Sequence, residues 1–229
     1  MLKLIVCGST GKYGQKVLEL ARASKQCEIM GEVHSGMPIE KCIQSGVVVI
    51  DFSTPEASVH NAEVCAQHGV PIIIATTGFT KDQETKIQEA SKKSAVVFTP
   101  NTSLGVNMLL NWMAQAAAVL GPDYKASMIE VHHTRKKDAP SGTAARLAKA
   151  FGKEMPIESI REGDVVGIHT ITFEGPFEKI TVRHEALDQK LFAEGALQAA
   201  RSPQVLKSQS PRRRIECIFQ SACHYGLLP

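Results

Sequence analysis

Residues 2–14 read LKLIVCGSTGKYG, an apolar run followed by three glycines at the spacing G-x-x-G-x-x-G. Apolar residues then recur at helical spacing, so we expect a strand over residues 2–7 and a helix over Lys12–Ala23. A strand, a glycine-rich turn and a helix form the context of a dinucleotide-binding loop, where glycines allow a tight turn and close approach of a pyrophosphate. The predicted cofactor-binding residues of this loop are Gly8, Ser9, Thr10, Gly11, Lys12, Tyr13 and Gly14.

Strand and helix patterns alternate through the first hundred residues. Continuous β-branched runs are typical of strands that are buried on both faces of a parallel sheet. Here such runs are separated by segments with helical periodicity and polar N-cap residues. The predicted elements are strands at Cys27–Val33, 45–51, 70–75 and 95–98, and helices at Pro55–His68 and 80–93. This order predicts an α/β fold with a Rossmann-like, doubly wound parallel sheet.

The pattern changes after a long helix over 104–120. Extended, β-branched segments at 125–131, 164–174 and 178–185 surround one further helix after Ser141, and Gly175-Pro176 is typical of a hairpin turn. We therefore predict a second, α+β domain with a mixed sheet.

Residues 130–143 read EVHHTRKKDAPSGT, a stretch dense in charged and imidazole side chains. It lacks apolar periodicity, so we expect a strand end or loop rather than a buried element. The helix that follows Ser141 offers free backbone N–H groups, a suitable seat for a carboxylate. Lys136 and Lys137 add positive charge, and His132 and His133 exchange protons near neutral pH. The stretch predicts a pocket that holds a small anion beside a proton donor.

Two other interpretations of this stretch remain open. A His-His pair beside lysines also occurs in solvated loops. A metal site requires ligands that converge, yet adjacent histidines on an extended segment point to opposite faces. We expect no metal.

Composition excludes several classes of protein. The 229 residues are 43% hydrophobic and 21% charged, as in ordinary globular proteins, and no apolar run approaches the length of a membrane span. A net charge of +3 does not indicate nucleic-acid binding. The six cysteines form no C-x-x-C pair, and the N-terminus does not resemble a signal peptide, so we expect reduced thiols in a cytoplasmic protein.

The His-His pair, the lysine that follows and Asp-Ala-Pro-Ser-Gly-Thr at 138–143 together resemble the signature of the dihydrodipicolinate reductase family. The resemblance implies that His132 is the proton donor or acceptor and that Lys136 is the catalytic lysine. The residues it implies for binding the substrate carboxylates are His133, Gly142 and Thr143, with Ser141 at the helix start.

The resemblance also implies a reaction and an assembly. The family reduces dihydrodipicolinate, a cyclic unsaturated dicarboxylate, to tetrahydrodipicolinate with NADH or NADPH, in diaminopimelate and lysine biosynthesis. It implies a dinucleotide-binding domain of residues 1–103 plus about 202–229, a substrate-binding and oligomerisation domain of 104–201, and a homotetramer joined through the substrate-domain sheets. The strand-end segments implied on the nicotinamide side are Ala75, Thr76, Thr77, Pro100, Asn101, Thr102 and Ser103.

Two departures from the family pattern bear on binding. His34 stands where an acid usually binds the ribose of NADH, so we expect NADPH to be accepted at least comparably and count His34 among the cofactor-binding residues. Gln189 stands where the family has an arginine, and Lys190 or Arg183 could supply the missing charge.

Two alternative functions remain open. Another two-domain dehydrogenase, acting on an aldehyde, often needs a cysteine nucleophile, and no cysteine here lies near an obvious base. A nucleotide-sensing regulator would not need the His-His-Lys arrangement, and it would carry a DNA-binding motif that the sequence lacks.

Overall fold

A computed structural model of the chain describes residues 1–202 and Val205. The expectation that residues from about 202 to 229 belong to the first domain therefore lies outside the described residues. The described residues form two compact units, one of Met1–Ser103 with residues 190–202 and Val205, and one of Leu104–Gln189.

The first unit is a five-stranded parallel sheet with helices, which confirms the predicted Rossmann-like fold. The strand order is β2-β1-β3-β4-β5, and neighbouring strands pair in parallel throughout. Its strands are β1 (Leu2–Cys7), β2 (Cys27–Val33), β3 (Val47–Asp51), β4 (Ile72–Ile74) and β5 (Val96–Phe98). Its first three helices are α1 (Lys12–Ala23), α2 (Pro55–His68) and α3 (Lys81–Ser91), and a short 3-10 turn spans Ile39–Lys41.

Local signals set these bounds. The Thr54 side chain accepts from the N–H of Ala57, Pro55 occupies the first helical position, and Gly69 ends α2 in the left-handed region at φ 65°. Thr80 and Gln83 form a reciprocal capping box at the start of α3. Strand β3 is buried along its whole length, as its continuous apolar run predicted, and β1 is buried over residues 4–7.

The second unit is a four-stranded mixed sheet with two helices, as predicted. Its strand order is β7-β6-β8-β9, with β6 and β7 parallel and the other pairs antiparallel. Its elements are α4 (Leu104–Val119), β6 (Lys125–His132), α5 (Gly142–Phe151), β7 (Ile157–Arg161), β8 (Gly167–Glu174) and β9 (Lys179–Ala186). The sheet packs against the helices through buried Met128, Ile171 and Phe173. The predicted hairpin closes with a 2.9 Å hydrogen bond from Gly175 N to Glu178 O, whereas β7 was not predicted.

The final described helix, α6 (Lys190–Arg201), differs from the sequence-based division, which assigned residues 104–201 to the second domain. It packs in the first unit, where Phe192 O accepts a 2.6 Å hydrogen bond from Thr102 Oγ1. A Cβ added to Gly195 would lie 1.8 Å from Thr102 O, so only glycine permits this approach. The small side chains of α6 allow the helix to pack closely, and sequence patterning alone did not show which unit they face.

Within residues 1–202 and Val205, no helix has the length and apolar character needed to cross a membrane.

Candidate active site

The turn between β1 and α1 has a shape that excludes side chains. Gly8 has φ 73°, and a Cβ there would lie 2.5 Å from Phe52 O at the end of β3. A Cβ on Gly14 would lie 2.1 Å from Gly8 O. The turn therefore lies at the carboxyl ends of β1 and β3, where the strand order reverses and open α/β sheets bind ligands.

The start of α1 fits the pyrophosphate of a dinucleotide. The N-cap of the helix is Gly11, which has no side chain to accept hydrogen bonds from the amides of the first turn, so these amides can face an anion. Other predicted residues of the turn have structural contacts. The Ser9 hydroxyl and its N–H both donate to Val33 O at 3.1 Å, which ties the turn to β2. The Tyr13 ring packs 5.6 Å from the rings of both Phe52 and Phe192.

Two further segments lie at the same carboxyl-terminal end of the sheet. Residues 75–77 follow β4, and residues 100–103 follow β5. Thr76 is buried and accepts a 2.8 Å hydrogen bond from Ser58, whereas Thr77 is exposed. Asn101 Oδ1 accepts from Ser103 N at 2.9 Å, which holds the second segment in a turn. The predicted cofactor residues thus lie at the carboxyl-terminal ends of the strands. The side chains of Ser9, Thr76 and Thr102, however, are directed into the protein.

The residue at the end of β2 bears on cofactor choice. His34 is exposed directly after the strand, and its Nδ1 accepts a 3.2 Å hydrogen bond from Gly36 N. Glu32, the nearest acid, lies two residues earlier and forms an ion pair with Arg22 of α1. The acid is therefore engaged by a neighbouring guanidinium, and an imidazole occupies the strand end.

The second unit places Glu130 and His132 at the end of β6, on the same face of the strand. Glu130 is 0% exposed and His132 is 8% exposed. The expectation that this stretch is not buried is therefore wrong for these two residues. Burial of the charge is compensated because Glu130 Oε1 accepts from Arg161 Nη2 at 2.8 Å and from Ser141 N at 3.2 Å.

Glu130 Oε2 and His132 Nδ1 are joined by a short hydrogen bond. Burial acts to raise the pKa of the Glu130 carboxyl, but hydrogen bonds from Arg161, Ser159 and His132 bring it down to about 2. Burial lowers the pKa of the His132 imidazole, and the Glu130 carboxylate offsets this only in part. At neutral pH the pair is an ionised carboxylate beside a mainly neutral imidazole.

The loop after β6 carries the other predicted polar groups. Lys136 Nζ lies 2.8 Å from Asp138 Oδ1, and its charge is close enough to help lower the pKa of His132. His133 is half-buried, and its carbonyl accepts from Lys136 N at 3.0 Å. The structure thus places Lys136 near His132.

Helix α5 begins beside this pair. Ser141 is its N-cap, as predicted, and Ser141 Oγ accepts from Ala144 N at 3.1 Å. The same hydroxyl lies 3.3 Å from His169 Nε2, and the His169 ring centre lies 5.2 Å from that of His132. Gly142 and Thr143, the first two residues of α5, are therefore brought to the same end of the sheet as His132.

Three residues of this cluster were missed by the sequence analysis: Glu130, Arg161 and His169. The contacts of Ser141 with Glu130 and His169, and of Arg161 with Glu130, join residues 11 to 31 apart, which local spacing does not reveal. The contact between Glu130 and His132 lies within residues 130–143, where no sequence signal indicated that Glu130 is buried. The cations suggested as replacements for the family arginine have other partners, since Arg183 Nη2 lies 2.8 Å from Glu185 and Lys190 Nζ lies 2.7 Å from Glu19. In the described part of the chain, no three His, Cys, Asp or Glu side chains converge as metal ligands.

A glycine turn that fits a dinucleotide and a His–Lys cluster beside a helix start define an NAD(P)H-dependent oxidoreductase. Residues 2–102 match the family model described as dihydrodipicolinate reductase, N-terminus, and residues 105–215 match the model for its C-terminus. The chain belongs to the dihydrodipicolinate reductase family.

Individual relatives agree with this assignment. The chain is 37% identical to the 4-hydroxy-tetrahydrodipicolinate reductase of Oleidesulfovibrio alaskensis, with 87% of this chain and 93% of the relative covered. It is 36% identical to the enzyme of the same name from Anaeromyxobacter dehalogenans, with coverage of 87% and 92%. Among solved structures, dipicolinate-bound dihydrodipicolinate reductase from Paenisporosarcina sp. TG-14 superposes with a TM-score of 0.77 at 24% identity, covering 90% of this chain and 95% of that one. The last comparison supports the fold.

Proposed function

We propose that this chain reduces dihydrodipicolinate, derived from 4-hydroxy-tetrahydrodipicolinate, to tetrahydrodipicolinate, with NADH or NADPH as the reductant, in diaminopimelate and lysine biosynthesis. Membership of the family is the observation that carries the proposal. The cluster of His132, Lys136 and the start of α5 supports it, because a dicarboxylate substrate needs both an anion seat and a proton source.

Reduction adds one hydride and one proton to the substrate, and a reduced nicotinamide bound at the glycine turn would supply the hydride. His132 and Lys136 supply and relay the proton. The Lys136 ammonium has three N–H donors, of which Asp138 takes one. The His132 imidazole is mainly neutral at neutral pH, so Nε2 can take a proton and pass it on.

The carboxylates of the substrate would be held by His133, Ser141, Gly142 and Thr143. The N–H groups of the first turn of α5 and the helix dipole favour an anion at this point. The Ser141 side chain caps the helix, so its contribution to binding is to present these amides rather than to bind directly.

Conversion of dihydrodipicolinate by the purified full chain tests the proposal. Oxidation of the reduced nucleotide should depend on the substrate, and tetrahydrodipicolinate should accumulate in equal amount. A chain that binds the reduced nucleotide without turnover would favour a sensing role. Turnover of aldehydes in place of dihydrodipicolinate would favour the other dehydrogenase class.

We further propose that the chain acts in the cytoplasm as a homotetramer joined through the substrate-domain sheets, with no nucleic-acid or membrane partner. The exposed Ile129 of β6 and Ile160 of β7, 41% and 36% exposed, support a partner surface on this sheet. Sedimentation of wild type and Ile129→Lys tests the assembly. A monomeric wild-type chain would contradict it.

A further inference from the structure

The buried carboxylate of Glu130 is a group to which the proposed reaction gives no direct role. It is 0% exposed, so it lies outside the reach of solvent and of a substrate carboxylate, which it would repel. A buried carboxylate is costly unless it is paired and fully hydrogen-bonded. Here its hydrogen-bonding partners come from three different segments, namely β6, β7 and the start of α5, so several parts of the second unit hold the carboxylate in place.

The partners divide between the two oxygens of Glu130. Oε1 accepts from Arg161 Nη2 at 2.8 Å and from Ser141 N at 3.2 Å. Oε2 faces His132 Nδ1. Arg161 Nη2 also donates to Asp138 O at 2.6 Å, so the guanidinium is held from two sides. The carboxylate therefore has little freedom to turn away from the imidazole.

This arrangement selects one tautomer of His132. An ionised carboxylate only accepts hydrogen bonds, so Nδ1 of the imidazole must carry a hydrogen. The lone pair of the neutral ring is then on Nε2, which points toward Gly167, where an added Cβ would lie 3.0 Å away. The nitrogen that can exchange a proton with a substrate is thus fixed in both identity and direction.

We propose that Glu130 is a positioning residue, which holds His132 as the Nδ1–H tautomer with Nε2 directed at the reacting substrate, and that Arg161 and the Ser141 amide hold Glu130. The inference rests on the proposed proton-transfer role of His132, and it identifies Glu130 as the residue that orients the ring for that role.

Other charged groups around His132 act differently. Lys136 from the loop after β6 and Arg161 from β7 oppose protonation of the imidazole. His169 from β8 packs against it edge to face and is itself largely neutral, because burial lowers the pKa of His169 to about 4. Among the groups that shift the His132 pKa, Glu130 is the one that favours the protonated ring, both by its hydrogen bond and by its charge.

The substitution Glu130→Gln gives a sharp test, because the two donors on Oε1 require an oxygen there. The amide NH₂ must then take the place of Oε2 and donate to His132 Nδ1. This reverses the hydrogen bond and forces the hydrogen of the neutral ring onto Nε2. Nitrogen chemical shifts of histidine-labelled protein should show Nδ1–H in wild type and Nε2–H in Glu130→Gln.

Kinetic measurements distinguish a positioning role of Glu130 from a purely structural one. Glu130→Gln should lower kcat by between tenfold and about 10⁴-fold, the upper figure being typical of a wrong tautomer in a carboxylate–histidine pair. In a double-mutant cycle, Glu130→Gln added to His132→Ala should cost no further activity, since Glu130 acts through the imidazole. The surface control Glu174→Gln, which alters an exposed carboxylate of β8, should keep wild-type kcat.

Each readout can overturn the proposal. An Nε2–H tautomer in wild type would do so, and this measurement needs no folded variant. Losses that multiply in the double variant would show that Glu130 acts independently of His132. If wild type does not convert dihydrodipicolinate, the proposed function fails, while the tautomer of the resting protein still decides whether Glu130 positions the ring.

Discussion

Lys136 Nζ lies 2.8 Å from Asp138 Oδ1, two residues further along the same loop. The Lys136 side chain is 22% exposed, whereas the adjacent Lys137 is exposed. Two neighbouring lysines of equal charge therefore have different environments, and they form a natural pair of test and control.

Lys136→Ala should lower kcat by about 10²–10⁴-fold, the usual contribution of a positioned proton donor, and leave NAD(P)H affinity unchanged. Lys137→Ala should keep near wild-type kcat. Steady-state kinetics and nucleotide titration measure both. Equal losses in the two variants would show that the loop contributes only general positive charge.

Gly167→Ala should reduce turnover without unfolding the chain. The added Cβ would lie 3.0 Å from His132 Nε2, and Glu130 prevents the ring from moving aside. Misplacement of a reacting group by about 1 Å can cost on the order of 10²-fold in rate. Gly121→Ala, where a Cβ meets nothing within 4 Å, is the matched control. Unchanged kcat in Gly167→Ala would place the proton-exchanging atom elsewhere.

Thr143→Val removes a hydroxyl near the start of α5 and keeps the side-chain shape. If the hydroxyl donates to a substrate carboxylate, its loss costs about 1.5–3 kcal/mol, which corresponds to a rise in KM of roughly ten- to a hundredfold. Cofactor affinity should stay the same. A KM equal to that of wild type would remove Thr143 from the carboxylate site.

NADPH should be accepted at least comparably to NADH. The acid nearest the end of β2, Glu32, forms an ion pair with Arg22, and the exposed His34 and Ser35 carry no negative charge that would repel a 2′-phosphate. Titration of both reduced nucleotides at the same low salt concentration tests this. A preference for NADH of tenfold, about 1.4 kcal/mol, would show that an acid binds the ribose, and Glu32→Gln should then relax the preference.

Glu130 should make the stability of the chain depend on pH in the acid range. Despite the opposing effect of burial, its pKa in the folded chain is about 2, below the ordinary value of 4.5. A depressed carboxyl pKa stabilises the fold above the unfolded-state value, by roughly 3 kcal/mol here, and this stabilisation is lost as pH falls toward the folded-state value.

Urea denaturation of wild type and Glu130→Gln at two pH values measures this contribution. The difference in unfolding free energy between the two chains should shrink by roughly half between about pH 6 and about pH 3, because a protonated carboxyl resembles the amide. A difference that is constant with pH would mean that Glu130 is not ionised in the folded chain.

Much of the fold could be predicted because its signals are local. The bounds of α1 and α2 follow from the glycine turn, the Thr54 cap and Pro55, all within a few residues of the helices they define. β7 was missed because it is only five residues long, without a clear apolar alternation, and is completed by parallel pairing with β6.

The residues of the site also fall into those that local sequence indicated and those that it did not. His132, Lys136 and Ser141 lie in one contiguous stretch, so the sequence indicated them together. The Arg161–Glu130 pair joins residues 31 apart, and it is this pairing that makes burial of a charged strand end tolerable. Sequence patterning, which treats charge as exposed, predicted the opposite environment for Glu130.

The packing of α6 against Thr102 has a consequence for how the protein is made. Residues 1–103 leave the ribosome first. The surface of this unit that packs against α6 stays uncovered until that helix, about ninety residues later in the chain, has been made. In the folded unit, α6 buries Ala196 and Ala200 to 0% exposure and also contributes Phe192. The nucleotide unit therefore cannot finish folding during synthesis until the whole of the second unit has emerged. The helix that completes the first unit is therefore made only after all of the described strands of the second unit.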